Sequence, residues 1–116
     1  VDISGRNIPN YHYENLLAVT REYMARPLVH PVIVVDTNHS NSGKNFREQP
    51  RIGMEVMHSR RHSPLLKDLI RGLMIESYLV EGSQRIHENT FGKSITDPCL
   101  GWDETADFVK RLAEAV

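Results

Sequence analysis

An unbroken β-branched run, Pro31-Val32-Ile33-Val34-Val35, closes on the carboxylate Asp36 and a polar loop. Apolar residues without polar alternation predict a strand of a parallel sheet, buried on both faces. A second run, Ile70-Arg71-Gly72-Leu73-Met74-Ile75, likewise closes on an acid, Glu76. Between the two, Pro50 suits the first turn of a helix, and Ile52, Val56 and Met57 recur at helical spacing before the polar stretch Ser59-Arg60-Arg61-His62-Ser63. The unit is strand, helix, strand. Upstream, Tyr13, Leu16, Leu17, Thr20, Tyr23 and Met24 line one face of a helix that Pro27 ends. Downstream, Thr105, Phe108, Val109, Leu112, Ala113 and Val116 form another such stripe, with Asp103 and Glu104 in its first turn, where acids complement the helix dipole.

Reading Val1 to Ile3 as the end of one more strand places strand ends at residues 3, 36 and 76, the spacing of βα units. The stretches Thr37–Asn45 and Glu81–Asp97 read as long connections. The fold class is α/β. Three βα units alone can neither cover both faces of a parallel sheet nor pair its edges. A (β/α)8 TIM barrel takes roughly 250 residues, so the 116 residues are expected to be a partial barrel, its last three βα units. A small open doubly wound sheet is the alternative. Residues 1–116 then form a single, incomplete domain, and a start at Val1 rather than Met fits a piece of something longer.

Composition narrows the class of partner. Fourteen Lys and Arg against fifteen Asp and Glu leave a formal charge of −1. Such a chain has no field that gathers nucleic acid or an anionic membrane. One cysteine, Cys99, excludes an internal disulfide framework. No apolar run approaches the roughly 18 residues of a membrane span, and Val1-Asp2-Ile3-Ser4-Gly5 has neither the basic nor the apolar part of an export signal. A cytoplasmic location is expected.

In either α/β architecture the chemistry sits at the carboxyl ends of the strands. His39 stands three residues past Asp36, Glu76 closes the second run, and Asp97 lies in the loop after it. One imidazole and two carboxylates on one rim suit Mn²⁺, Fe²⁺, Co²⁺ or Zn²⁺ and leave coordination positions for substrate. Each residue taken singly has an ordinary role as well: a solvated loop histidine, a strand-end ion-pair partner, a turn aspartate before Pro98. Lys44 shares the loop of His39, where an ammonium would meet an anionic substrate. Arg6, just past the first candidate strand end, is placed to hold a carboxylate or phosphate bidentately. Both also read as surface cations.

Other signals are weaker. Gly92-Lys93-Ser94 resembles the end of a phosphate-binding loop, but His87 stands where that motif needs glycine. Asn38-His39-Ser40 matches a glycosylation pattern that a chain without an export signal never uses. Cys99 is a further ligand, a reactive thiol or, more simply, a buried inert cysteine. Arg60-Arg61, flanked by His58 and His62, either binds a phosphorylated partner or is a solvated last turn that satisfies the helix dipole.

Three longer segments carry a resemblance. They are Asp36-Thr37-Asn38-His39-Ser40-Asn41-Ser42-Gly43-Lys44, Gly72-Leu73-Met74-Ile75-Glu76-Ser77-Tyr78-Leu79-Val80-Glu81-Gly82, and Gly92-Lys93-Ser94-Ile95-Thr96-Asp97-Pro98-Cys99-Leu100-Gly101-Trp102. In order and spacing they resemble the three C-terminal signatures of the type I 3-deoxy-D-arabino-heptulosonate 7-phosphate (DAHP) synthases, a likeness running from about Pro9 onward. The resemblance implies a (β/α)8 barrel that condenses phosphoenolpyruvate with erythrose 4-phosphate, the first step of the shikimate pathway and of aromatic amino acid biosynthesis. It also implies a divalent metal held by His39, Glu76 and Asp97, with the ion polarising the aldehyde while C3 of phosphoenolpyruvate attacks. The family's fourth ligand, a cysteine on an early strand, and most of its phosphate-binding residues have no counterpart among the 116 residues. An ungapped alignment puts Ser4 where the family has an arginine before Pro9-Asn10-Tyr11, so Arg6 would serve only through a shifted backbone. The isolated chain is therefore expected to be inactive and to associate with copies of itself or with the N-terminal part of such an enzyme. Two other readings are a related phosphoenolpyruvate-dependent aldolase acting on another phosphosugar, and a non-catalytic metal-binding or interaction fragment.

Overall fold

The computed structural model describes all residues from Val1 to Val116. Helix α1 (Tyr13–Met24) leads into strand β1 (Ile33–Asp36), a short helical turn α2 (His39–Ser42) and a 3₁₀ turn (Phe46–Glu48). Helices α3 (Gln49–His62) and α4 (Pro64–Leu69) run into β2 (Ile70–Met74), and the small strands β3 (Val80–Ser83) and β4 (Lys93–Ser94) precede α5 (Trp102–Ala115). Strands β1 and β2 pair in parallel, Val35 opposite Leu73 and Asp36 opposite Met74, with an irregularity between Ile33 and Val34. Strands β3 and β4 form a second parallel pair.

Local chemistry explains the helix boundaries. Pro50 lies in the first turn of α3, where its missing N–H has no intrahelical partner to lose. Pro64 then forbids helical backbone at Ser63, which is extended at φ −139° and ψ 115°. Ser63 therefore ends α3 and caps α4 in one stroke, its hydroxyl accepting from the Leu66 amide at 3.3 Å. The polar stretch Ser59–His62 is the last turn of α3, where Arg60, Arg61 and His62 complement the helix dipole, as the solvated-turn reading of that cluster expected.

The core lies between one face of the β1–β2 pair and the helices. Tyr11, Leu16, Val35, Ile52, Val56, Leu66 and Ile70 form it, joining α1, α3 and α4 to both strands. Helix α5 packs on α3 through Phe108, which is 1% exposed. That approach requires Gly53: a Cβ there would lie 2.3 Å from the Phe108 ring and 3.2 Å from Leu73. Gly53→Ala must displace a buried ring and is expected to lower stability by about 1–3 kcal/mol. A urea midpoint that stays at the wild-type value would contradict this packing.

Several sequence expectations change. Residues 1–12 contain no strand; Asp2 organises a turn there by accepting from the Ser4 and Arg6 amides, and Val1 and Ile3 stand exposed. Two principal strands are present where three were expected. Strand β1 is covered on one face only, since Val35 is 5% exposed but Val34 is 59% exposed. Strand β2 stops at Met74 rather than Glu76, and the two long connections contain α2, β3 and β4. No helix is long and apolar enough to cross a membrane.

Candidate metal centre

The carboxyl ends of β1 and β2 carry the polar cluster. Asp36 is the last residue of β1, and the chain then turns through Thr37 and Asn38, both buried, into His39. His39 has φ +46°, a left-handed conformation that costs an ordinary residue about 1–2 kcal/mol. The surrounding hydrogen bonds hold it there. Asp36 accepts from the Asn38 amide through Oδ1 at 2.8 Å and meets His39 Nδ1 through Oδ2 at 2.7 Å. The side chain of Asn41 donates to the Asp36 carbonyl at 2.8 Å.

Glu76 is fixed from the other side of the sheet end. Gln49, fully buried at the start of α3, accepts from the Glu76 amide at 2.8 Å and donates to the Glu76 carbonyl at 2.9 Å. The Thr37 hydroxyl lies 3.0 Å from Gln49 Oε1 and 2.8 Å from the Met74 carbonyl, tying the two strand ends together. Asn38 Nδ2 donates to Glu76 Oε2 at 3.0 Å, leaving Oε1 to face His39. The third acid reaches the same place from the loop before α5.

His39 Nε2 lies 3.1 Å from Glu76 Oε1 and 3.5 Å from Asp97 Oδ2. One ligand atom from each of the three residues falls within 4.8 Å of the others. An ion bonded at about 2.1 Å holds neighbouring ligands roughly 3 Å apart and opposite ones roughly 4 Å apart. The donor set fits a divalent cation, and both distances from His39 Nε2 lie in that range. The Nδ1–Asp36 bond makes Nε2 the nitrogen presented to that cation, the carboxylate–histidine arrangement that orients a ligating imidazole. The same bond, aided by the charges of Asp36, Glu76 and Asp97 and opposed by burial, holds the His39 pKa above its ordinary value. Side-chain exposures of 40% for His39 and 51% for Asp97 leave one side of the cluster open.

Comparison with known proteins bears on the same residues. A family model described as the DAHP synthetase I family matches residues 1–110. The chain belongs to that family. It is 37% identical to a phospho-2-dehydro-3-deoxyheptonate aldolase, Trp-sensitive, of Buchnera aphidicola subsp. Baizongia pistaciae, over all of this chain and 33% of the relative. The Trp-sensitive enzyme of Escherichia coli K12 is also 37% identical, over 97% of this chain and 32% of that one. A solved structure of phospho-2-dehydro-3-deoxyheptonate aldolase from Francisella tularensis SCHU S4 superposes with a TM-score of 0.83 at 32% identity, covering 94% of this chain and 31% of the other. The chain thus spans about a third of the length of the DAHP synthases it matches.

The other residues singled out in the sequence contribute no side-chain ligand atom to the cluster. Arg6 is 80% exposed and pairs with Asp2 at 3.0 Å. Hydrogen bonds from the Ser4 side chain and the Arg6 backbone hold the Asp2 carboxyl below its ordinary pKa. Local i, i+4 chemistry thus occupies the guanidinium that the sequence placed at a substrate. Lys44, at φ +64°, follows the left-handed Gly43 and donates its amide to the His39 carbonyl at 2.8 Å, closing the loop while its side chain stays exposed. Cys99 is half-buried, its thiol 3.5 Å from the Asp97 carbonyl, and burial pushes its pKa up.

The sequence reading passed over Asp36, Asn38 and Gln49 as functional groups. Asp36, three residues before His39, was visible as a strand-end acid. Gln49 gave no such sign, because its partner is 27 residues away.

Proposed function

We propose that the chain is the C-terminal third of a DAHP synthase barrel, its last three βα units, and works within the whole enzyme in the metal-dependent condensation of phosphoenolpyruvate with erythrose 4-phosphate. The observation that carries this reading is the convergence of His39 Nε2, Glu76 Oε1 and Asp97 Oδ2 at one strand end in a member of this family. The C-terminal placement rests on the three signature segments and their order. The first residues, before α1, form a turn rather than a strand, so the third unit is carried by the β3–β4 region and α5.

A divalent ion bound there, Mn²⁺, Fe²⁺, Co²⁺ or Zn²⁺, supplies a Lewis acid for the aldehyde carbonyl. The chain's own groups prepare the place. Asp36 fixes the imidazole, Asn38 turns the Glu76 carboxylate, and Gln49 holds the backbone of Glu76, so little reorganisation is left for the reaction. Lys44 and Arg6 are proposed as anion contacts once the rest of a barrel stands beside them, Arg6 by exchanging Asp2 for a substrate oxyanion. Both side chains are exposed.

The same reading accounts for the bare face of the sheet. Val34 and Met74 point away from the helices and are 59% and 43% exposed. In a closed barrel such positions face the packed interior. The isolated chain is therefore proposed to pair its open edges with copies of itself or with the N-terminal part, and to give no turnover alone.

The test is a chimera in which these 116 residues replace the corresponding third of the E. coli relative. Expected are no condensation by the chain alone with Mn²⁺, Mn²⁺-dependent condensation by the chimera, and loss of that activity with Asp97→Asn. Equal turnover by the chain alone, or a folded chimera that remains inactive at every metal concentration, would overturn the proposal.

A further inference from the structure

A second group of charges sits at the opposite end of the sheet. Arg60 in the last turn of α3, Arg61 beside it and Lys67 in α4 line a cavity of about 400 Å³ together with Met57, Ala115 and Val116. The start of β2 is six residues from Glu76, which at roughly 3.3 Å per residue puts this notch about 20 Å from the metal cluster. No acidic side chain lines it. None of the three cations enters an ion pair, although six Lys or Arg ion pairs form elsewhere in the chain.

The two guanidiniums are anchored without being saturated. Arg60 donates through Nη2 to the Lys67 carbonyl at 3.3 Å and lies 3.7 Å from the Met57 sulfur through Nη1. Its Nε is buried and has no acceptor. That donor is closed to the notch as well as unpaired, so what the notch offers an oxyanion is the terminal Nη groups of the two arginines and the Lys67 ammonium. Arg61 donates to the Ala115 carbonyl at 3.1 Å, which fixes the guanidinium at the end of α5. Capping the helix ends therefore accounts for one amine of each arginine.

We propose that Arg60, Arg61 and Lys67 form a binding site for a small phosphate monoester, separate from the metal centre. The dianionic phosphoryl group matches three cations and accepts the forked donors of arginine. Met57, Ala115 and Val116 give the ester's organic part an apolar wall. The volume suits a small molecule.

The test is titration of the full chain with phenyl phosphate at constant ionic strength, followed by amide chemical shifts, with benzyl alcohol and chloride as controls. Saturable shifts confined to the end of α3, Lys67 and the end of α5 are expected, with binding weakened about tenfold by Lys67→Gln and by Arg61→Gln. Lys67 is exposed and Arg61 makes one cap bond, so both variants are expected to keep the fold. His39→Asn should leave the affinity unchanged, so the outcome is independent of the metal reading. No saturable shift, shifts confined to residues 36–44 and 76–97, or equal affinity in the Lys67→Gln variant would each overturn the proposal.

Discussion

Replacing His39 with asparagine is expected to abolish saturable binding of Mn²⁺ to this chain, a loss of more than 100-fold, whereas Asp36→Asn should weaken it about 10–100-fold. The difference follows from what each residue touches. His39 brings Nε2 to 3.1 Å of one carboxylate and 3.5 Å of another, so its removal takes away the only nitrogen of the donor set. Of the ring, Asp36 touches only Nδ1, at 2.7 Å, and sets its orientation and basicity, while its other oxygen holds the Asn38 amide. Asparagine is the fitting replacement because it tolerates the left-handed backbone at position 39, so the fold should survive the change. Calorimetric titration of both variants beside the parent checks the order. Asp36→Asn binding as weakly as His39→Asn would mean that Asp36 is itself a ligand.

Gln49→Leu is expected to cost about 2–4 kcal/mol of stability, a large share of the 5–15 kcal/mol typical of a whole domain. Leucine fills a similar volume but offers no acceptor to the Glu76 amide and no donor to its carbonyl. The carbonyl keeps a second donor, the Leu100 amide at 3.0 Å, while the amide has none. The Thr37 hydroxyl also retains an alternative, the Met74 carbonyl. The loss is therefore one orphaned amide, a vanished tie between α3 and the strand end, and a misplaced Glu76. Urea denaturation measures the first two. A midpoint indistinguishable from the parent's would show that the clamp holds nothing.

The parts of the fold that were legible depend on short-range pattern. The β-branched run before Asp36, the apolar stripe of α1 and the acids opening α5 each state their own conformation, and each element formed there. The trio His39, Glu76 and Asp97 was legible for a related reason: strand ends of a parallel sheet share one rim, so position along the chain implied proximity in space. The bare face of β1 was not legible, because Val34 and Val35 are chemically alike and only the number of available covering elements decides which one is buried. The turn at Asp2 was misread for the opposite reason. Val1 and Ile3 resemble a strand end, but a carboxylate accepting from residues two and four positions on competes successfully with pairing that has no partner strand. Gln49, buried and bonded across 27 residues, belongs to the class of groups that no periodicity reports.

The claim on which the function rests is that one cation is shared by an imidazole and two carboxylates. The most direct measurement is electron spin echo envelope modulation of Mn²⁺ bound to the full chain, prepared with ordinary and with ¹⁵N-labelled histidine. The account predicts a single directly coordinated histidine nitrogen whose modulation changes with the label and disappears in His39→Asn. Bound Mn²⁺ with no histidine modulation, or with modulation that persists in His39→Asn, would contradict it.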